Sequence, residues 1–144
     1  MHKISSAPEI RMLTAADAES YWKLRLEGLS HDPSAFQETV AEHTTKGMAK
    51  IRERLIAGDA AFVVGAFSGG MLVGSVGFNR EVGEKVQHNG LVWGLYVTPP
   101  LRRRGIARQM MSFLIDQTRT IRGIEQLHLR VSESQYAARR LSNR

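Results

Sequence analysis

The chain has no cysteine, which removes disulfides, thiolate metal ligands and cysteine nucleophiles together. It has only four prolines, and no Pro/Gly-rich linker, internal repeat or low-complexity segment divides it. One domain over residues 1–144 is expected. No apolar run approaches the ~20 residues of a membrane span. The N-terminal MHKISSAPEI has no apolar stretch of the secretory kind. These absences fit a cytoplasmic protein. The five histidines, at positions 2, 31, 43, 88 and 128, have no metal-ligand spacing, and H-E-x-x-H does not occur, so no metal is expected. VGSVG is one glycine short of a serine-nucleophile elbow because Val73 stands where glycine is needed, so Ser75 reads as a strand residue. The phosphate-binding G-x-x-x-x-G-K-[ST] and G-x-G-x-x-G fingerprints are both missing.

What is present is positive charge, unevenly placed. The net charge is +6. Residues 90–144 hold ten Lys/Arg against three Asp/Glu, whereas residues 1–89 hold ten against eleven. The whole excess therefore lies in the last third, which points to a polyanionic partner.

The patterning is that of a mixed α/β chain. EIRML (9–13) alternates as a short strand, and Thr14 with Asp17 has capping-box spacing. A helix to about Ser30 follows, with Ala18, Tyr21, Trp22, Leu26 and Leu29 on one face. A second helix is expected from Thr45 to Ala57. AAFVVGAF and MLVGSVGF flank Ser68-Gly69-Gly70 as a hairpin. GLVWGLYV is apolar on both faces and belongs in the middle of a sheet. A helix is expected from Ile106 to about Ile121, with Ile106, Met110, Phe113, Leu114 and Ile121 inward. QLHLRV is the next strand, and SQYAARRL reads as a last helix. Strand, helix and strand from Leu91 to Val131 should form a parallel right-handed crossover. Trp22 and Trp93 sit in apolar patterns and read as core.

The positive charge concentrates in YVTPPLRRRGIARQMMSFL (96–114), where a strand runs through an Arg/Gly turn into a helix. A helix N-terminus has free N–H groups and a positive dipole end. Four more cations there make sense if an anion is to be bound, whereas one arginine alone would read as simply solvated. Gly105 and Ala107 are small enough for a phosphate to approach the backbone, and Arg102, Arg103, Arg104 and Arg108 add charge at the rim.

This stretch resembles the acetyl-CoA motif of GNAT-type N-acetyltransferases, [QR]-x-x-G-x-[GA], at Arg102, Gly105 and Ala107, preceded by the family's V-x-P at Val97-Thr98-Pro99. The resemblance extends over nearly the whole chain. It implies the GNAT acyl-CoA N-acyltransferase fold, a mixed α/β sheet that opens after its fourth strand. It implies acetyl-CoA as co-substrate and an amine acceptor attacking directly. By the same resemblance, backbone amides from Arg103 through Arg104, Gly105, Ile106 and Ala107 to Arg108 cradle the pyrophosphate. Leu95, Tyr96 and Val97 pair with the pantetheine arm.

Aligning the family's last-helix motif on Ala138 and Leu141 puts Gln135 at the asparagine, a further cofactor-binding position, and Ser142 at the usual acidic tyrosine. The family continues with two more strands. Their absence from the sequence predicts a C-terminally truncated fold with QLHLRV as an exposed edge that a second copy in a homodimer would cover. GLVWGLYV carries no carboxylate, so Glu84, His88 and Tyr96 are the candidates for general acid–base work. Two other readings stay open: a CoA-binding module without activity, and a basic domain for nucleic acid or an acidic partner. The acceptor is not named by the sequence.

Overall fold

A six-stranded sheet in the order β1-β2-β3-β4-β5-β6 organises the computed structural model, which describes residues 7–33, 36, 38–132 and 135–140. Strand β1 (Glu9–Met12) is followed by a 3-10 turn whose entry is held by Asp17, accepting the Thr14 backbone N–H at 2.8 Å as the capping-box spacing requires. Helix α1 (Ala18–His31) comes next, then α2 (Val40–Thr45) and α3 (Met48–Arg54). Strands β2 (Ala61–Ser68) and β3 (Met71–Arg80) form the expected hairpin around Gly69 and Gly70, whose φ values of 58° and 82° are those of a two-residue primed turn. Strand β4 (Asn89–Val97), helix α4 (Ile106–Thr118) and strand β5 (Gln126–Ser132) make the expected crossover, since β4 and β5 are parallel. Every other neighbouring pair is antiparallel.

Each face of the sheet buries its own apolar layer, because β2 and β3 alternate apolar residues to both sides. Val64, Phe78 and Val92 pack with Met110 and Leu114 of α4 on one face. Val63 and Phe67 pack with Tyr21, Leu24, Ile51 and Leu55 on the α1/α3 face.

Three expectations are corrected. The single helix from Thr45 to Ala57 is two short ones, split at Gly47, whose extended backbone (φ −74°, ψ 158°) starts α3. Thr39 and Glu42 form a capping box that begins α2 earlier. Helix α4 stops at Thr118 rather than Ile121. The Thr118 and Thr120 hydroxyls bond back to the carbonyls of Ile115 and Gln117 at 2.7 and 2.6 Å and compete with the ladder. SQYAARRL is not a helix: Gln135–Arg140 is strand β6, antiparallel to β5, with Leu127 opposite Arg139 and Leu129 opposite Ala137. The open N–H and C=O row of β5 outweighs the helical propensity of that segment. The edge expected to need a partner chain is thus covered from within, and Gln135 lies opposite Ser132 in a strand. The helical spacing that carried Gln135 to the cofactor lapses with the helix. Leu141 and Ser142 lie outside the described residues.

Two features of β4 prepare the site. It pairs with β5 only over Asn89–Val92, opposite Gln126–Leu129, so its C-terminal half stands open on that side. It also carries a bulge: Gly77 pairs with Trp93 and Ser75 with Tyr96, leaving Gly94 and Leu95 together opposite Val76. Gly94 takes φ 66°, which a side chain would strain.

Candidate active site

At the open end of β4, Thr98 is held by its N–H on the Val73 carbonyl (2.9 Å), and Pro99–Leu101 form one 3-10 turn. The chain then passes through two left-handed residues, Arg103 (φ 65°) and Gly105 (φ 81°), before α4 begins. A non-glycine residue in that region is strained, and such strain gathers where backbone is shaped for a ligand. The result is a concave run of backbone. From Arg103 to Arg108, six successive N–H groups meet no protein acceptor among the described residues, and Gln109 is the first to bond back, to Gly105 at 3.0 Å. With the positive end of the α4 dipole behind them, these groups form an anion site. They fit the phosphates of a coenzyme A. A cavity of about 330 Å³ adjoins them, lined by Leu95, Tyr96, Val97, Arg103, Gly105 and Ala107 among others.

The arginines divide. Arg103, Arg104 and Arg108 are exposed and make no salt bridge among the described residues, so they keep charge for the rim. Arg102 is committed within the protein: Nε donates to the Val97 carbonyl and Nη2 to Asp32, both at 2.8 Å, and the guanidinium covers the Tyr96 ring at 5.3 Å. It shapes the turn instead of reaching outward.

Tyr96 is committed too. Its hydroxyl donates to Glu27 Oε2 at 2.6 Å, and Thr98 Oγ1 donates to the same oxygen at 2.8 Å. Burial, reinforced by the Glu27 hydrogen bond, pushes the phenol well above its ordinary pKa, so Tyr96 keeps its proton and is no general base. Glu27 and Asp32, both on or just after α1, clasp the end of β4 and the arginine turn. Neither was singled out from sequence, since their partners lie about seventy residues away.

The second cavity, about 1040 Å³, opens on the α1/α3 face and includes Arg25, Glu38, Arg54, Leu91, Trp93 and Gly94 in its walls. The two cavities share no lining residue, but consecutive residues of β4 line them, Gly94 the larger and Leu95 the smaller, so the bulge is the seam between them. Glu38 is the hub of the larger one. It accepts from Arg25 Nε (3.0 Å) and Lys46, with Arg54 at 4.0 Å and His43 Nδ1 at 3.7 Å. Burial would raise its pKa, yet the hydrogen bonds from Lys46 and Arg25 prevail and hold the carboxyl below its usual range. His43 is fully buried and stacked on Trp22, ring centroids 5.2 Å apart, with Nε2 on the Trp22 carbonyl at 3.0 Å. Burial pushes its pKa down, so it is neutral, with the proton assigned to Nε2. Trp93, read as core, instead forms cavity wall: its indole lies flat on Gly77 and faces the guanidiniums of Arg25 and Arg54 at 5.3 and 5.4 Å. Ser75 is a buried strand residue, as expected.

Glu84 and His88 are not brought to this seam. Glu84 is exposed in the loop before β4. His88 immediately precedes β4 at the end paired with β5, where its carbonyl takes the N–H groups of Glu125 (2.8 Å) and Gln126 (3.2 Å). Seven residues of strand at about 3.3 Å each separate it from Leu95, roughly 20 Å. Among the described residues there is no cluster of three metal-ligating side chains and no helix long and apolar enough to cross a membrane.

The model of the acetyltransferase (GNAT) family matches residues 26–144. No curated protein matches the sequence. Among solved structures, a Salmonella typhimurium protein determined with its cofactor acetyl-CoA superposes with a TM-score of 0.68 at 18% identity, covering 86% of this chain and 69% of that one. The PaiA N-acetyltransferase of Thermoplasma acidophilum, in complex with coenzyme A, gives 0.67 at 15% identity, covering 86% and 79%. A ribosomal-protein-alanine N-acetyltransferase from Brucella melitensis biovar Abortus gives 0.66 at 23% identity, covering 90% and 83%. At these identities the likeness is one of fold.

Proposed function

Because the chain belongs to the acetyltransferase (GNAT) family, we propose that it transfers an acetyl group from acetyl-CoA to a primary amine. The observation that carries this reading is the run of six acceptorless N–H groups, Arg103 to Arg108, placed beside the open edge of β4. Bound there, acetyl-CoA supplies an activated thioester. The chain supplies position and polarity. The N–H groups and the rim cations Arg103, Arg104 and Arg108 hold the pyrophosphate. The unpaired side of Leu95, Tyr96 and Val97 offers backbone donors and acceptors to the pantetheine amides, as an added strand would use them. The bulge turns backbone out of the ladder at the seam, where an N–H of Leu95 or Tyr96 stabilises charge developing on the carbonyl oxygen. One such donor is worth about 10²–10³ in rate.

The amine enters from the larger cavity and attacks in its neutral form. An alkylammonium has a pKa near ~10.4, so rate rises with pH over the neutral range. Tyr96, held on Glu27 with a raised pKa, serves as a strut between β4 and α1.

Calorimetric titration with acetyl-CoA and with S-acetylpantetheine tests the reading. Acetyl-CoA should bind more weakly as salt rises, and the phosphate-free analogue should bind at least about tenfold less tightly. Mass spectrometry on an amine panel should then show acetylated product. Equal affinity for both ligands, or no affinity for either, overturns the assignment.

A further inference from the structure

The larger cavity has one buried guanidinium that is only half used. Arg25 is 9% exposed. Its Nε donates to Glu38 at 3.0 Å, and among the described residues neither Nη group has an acceptor. Phe36 and Trp93 hold the guanidinium plane, at 4.7 and 5.3 Å from their ring centroids. Its Nη1 lies where a Cβ on Gly94 would come within 2.6 Å, so the group rests directly on the bulge that separates the linings of the two cavities. Glycine at 94 is thus required twice, by its φ of 66° and by this contact.

Arg25 therefore turns spare donors toward the cavity, and such donors suit an anion. Among the described residues, Glu38 alone pairs with Arg25. Glu38 is already shared among Arg25, Lys46 and Arg54. Glu42 caps α2 through the Thr39 N–H at 2.9 Å and is exposed, and Glu53 is exposed on α3. Against these three acids the cavity wall presents Arg25, Lys46, Lys50 and Arg54. Arg54 also approaches this indole, at 5.4 Å from the ring centroid, with a long contact of 3.5 Å to the Tyr21 hydroxyl.

We propose that the acceptor is a carboxylate-bearing amine, an amino acid with its carboxylate within a few bonds of the reacting nitrogen, and that Arg25, backed by Arg54, binds that carboxylate. This deepens the acetyltransferase reading and rests on it. The placement sets the chemistry. With the guanidinium at the seam, an anion on it puts the neighbouring nitrogen at Gly94–Leu95, next to the open edge of β4. The flat fork of arginine matches a carboxylate in two parallel hydrogen bonds. A fixed positive charge at the same place also disfavours the ammonium form of the acceptor, and the neutral amine is the form that attacks. The nitrogen lone pair forms the N–C bond, the C–S bond breaks, the coenzyme leaves as thiolate, and the amine proton passes to water.

The experiment compares matched acceptors on the full chain: leucine, leucinamide and isoamylamine, then phenylalanine, phenylalaninamide and phenethylamine, with O-phosphoethanolamine as a second anion. Acetyl-CoA binding is measured separately by calorimetry, as is leucine binding to the CoA-loaded protein. In each set the amino acid should exceed its amide and its decarboxylated amine at least about tenfold in kcat/KM. Arg25→Lys keeps a cation beside Glu38 and loses the fork. It should reduce the acid-to-amide ratio about tenfold while acetyl-CoA affinity is retained, and Arg54→Gln should reduce that ratio less. Equal use of acid, amide and amine overturns the inference. So does preference for phosphoethanolamine, an Arg25→Lys ratio that does not move, or a protein that binds acetyl-CoA and neither binds nor acetylates any of these acids. If acetyl-CoA itself does not bind, the acetyltransferase reading falls and takes this one with it.

Discussion

The two cavities on either side of the Gly94 bulge are built in opposite ways. The smaller draws nearly all its wall from one stretch, Leu95 to Ala107, and works through backbone: left-handed residues at Arg103 and Gly105, and N–H groups left without acceptors. The larger gathers side chains from α1, α2, α3, β2, β3 and β4, and works through charges that compensate one another around Glu38. Backbone recognition suits a ligand of fixed chemistry, because N–H groups do not depend on which side chains are present. Side-chain recognition can be retuned residue by residue. The contrast predicts that single changes at the turn act on the cofactor whatever the acceptor is, and that changes around Arg25 act on acceptor choice.

The largest expected effect belongs to Gly105. Gly105→Glu puts a carboxylate at the mouth of the N–H cradle, where like-charge juxtaposition costs several kcal/mol. Acetyl-CoA affinity should fall at least about 100-fold, equivalent to about 2.7 kcal/mol. A Cβ at 105 meets nothing within 4 Å, so the loss would not be one of space. Gly105→Ala isolates the strain of φ 81°, about 1 kcal/mol, and should lower stability more than affinity. If the two variants bind acetyl-CoA equally well, the cradle is not where the pyrophosphate sits.

The same contrast explains what could be read from sequence. The strand, turn and helix around Arg102–Arg108 were legible because everything that defines them lies within one short stretch. So was the β2–β3 hairpin, from two adjacent glycines. The larger cavity was not legible. Nothing in the sequence singles out Arg25 or Glu38, and Trp93 reads as core. Only folding sets them against each other, across 13 to 68 residues of chain. The last segment was misread for the same reason. SQYAARRL has local helical character, and the pairing demand of β5 that overrides it is not local. His88 and Glu84 lie close to β4 in sequence, whereas a strand carries its two ends far apart in space.

A smaller effect should sharpen the boundary between the two regions. Glu27 reaches from α1 to Tyr96 and Thr98, and Asp32 reaches to Arg102, so helix α1 braces the arginine turn as well as holding Arg25. Glu27→Gln removes a charged acceptor shared by two hydroxyls, worth about 1.5–3 kcal/mol. A drop of roughly 5 °C or more in Tm is expected. Acetyl-CoA affinity should fall about three- to tenfold, because Thr98 precedes the turn. The Tyr96 phenol, relieved of a neighbouring anion, should titrate at lower pH than in the parent protein, by ultraviolet difference spectra. A lower Tm with unchanged affinity would show that this contact holds the fold and does not reach the cofactor site.

The smallest effect is expected at His88, and it bears on the mechanism. The His88 carbonyl carries the structural load there, accepting from Glu125 and Gln126, and any residue supplies a carbonyl. The ring stands at the far end of β4 from the bulge, roughly 20 Å away, beyond the reach of a side chain and one water. His88→Ala should therefore leave kcat/KM within about twofold of the parent across the pH range. The profile itself should rise with pH as the acceptor loses its proton, on a slope set by the amine and displaced when acceptors of different basicity are compared. An imidazole base would act otherwise. It would add a step in the neutral range that is the same for every acceptor and absent from His88→Ala. Such a step, or a loss well beyond twofold, would place the proton transfer at the end of β4 opposite the seam and force the reacting amine to be redrawn there.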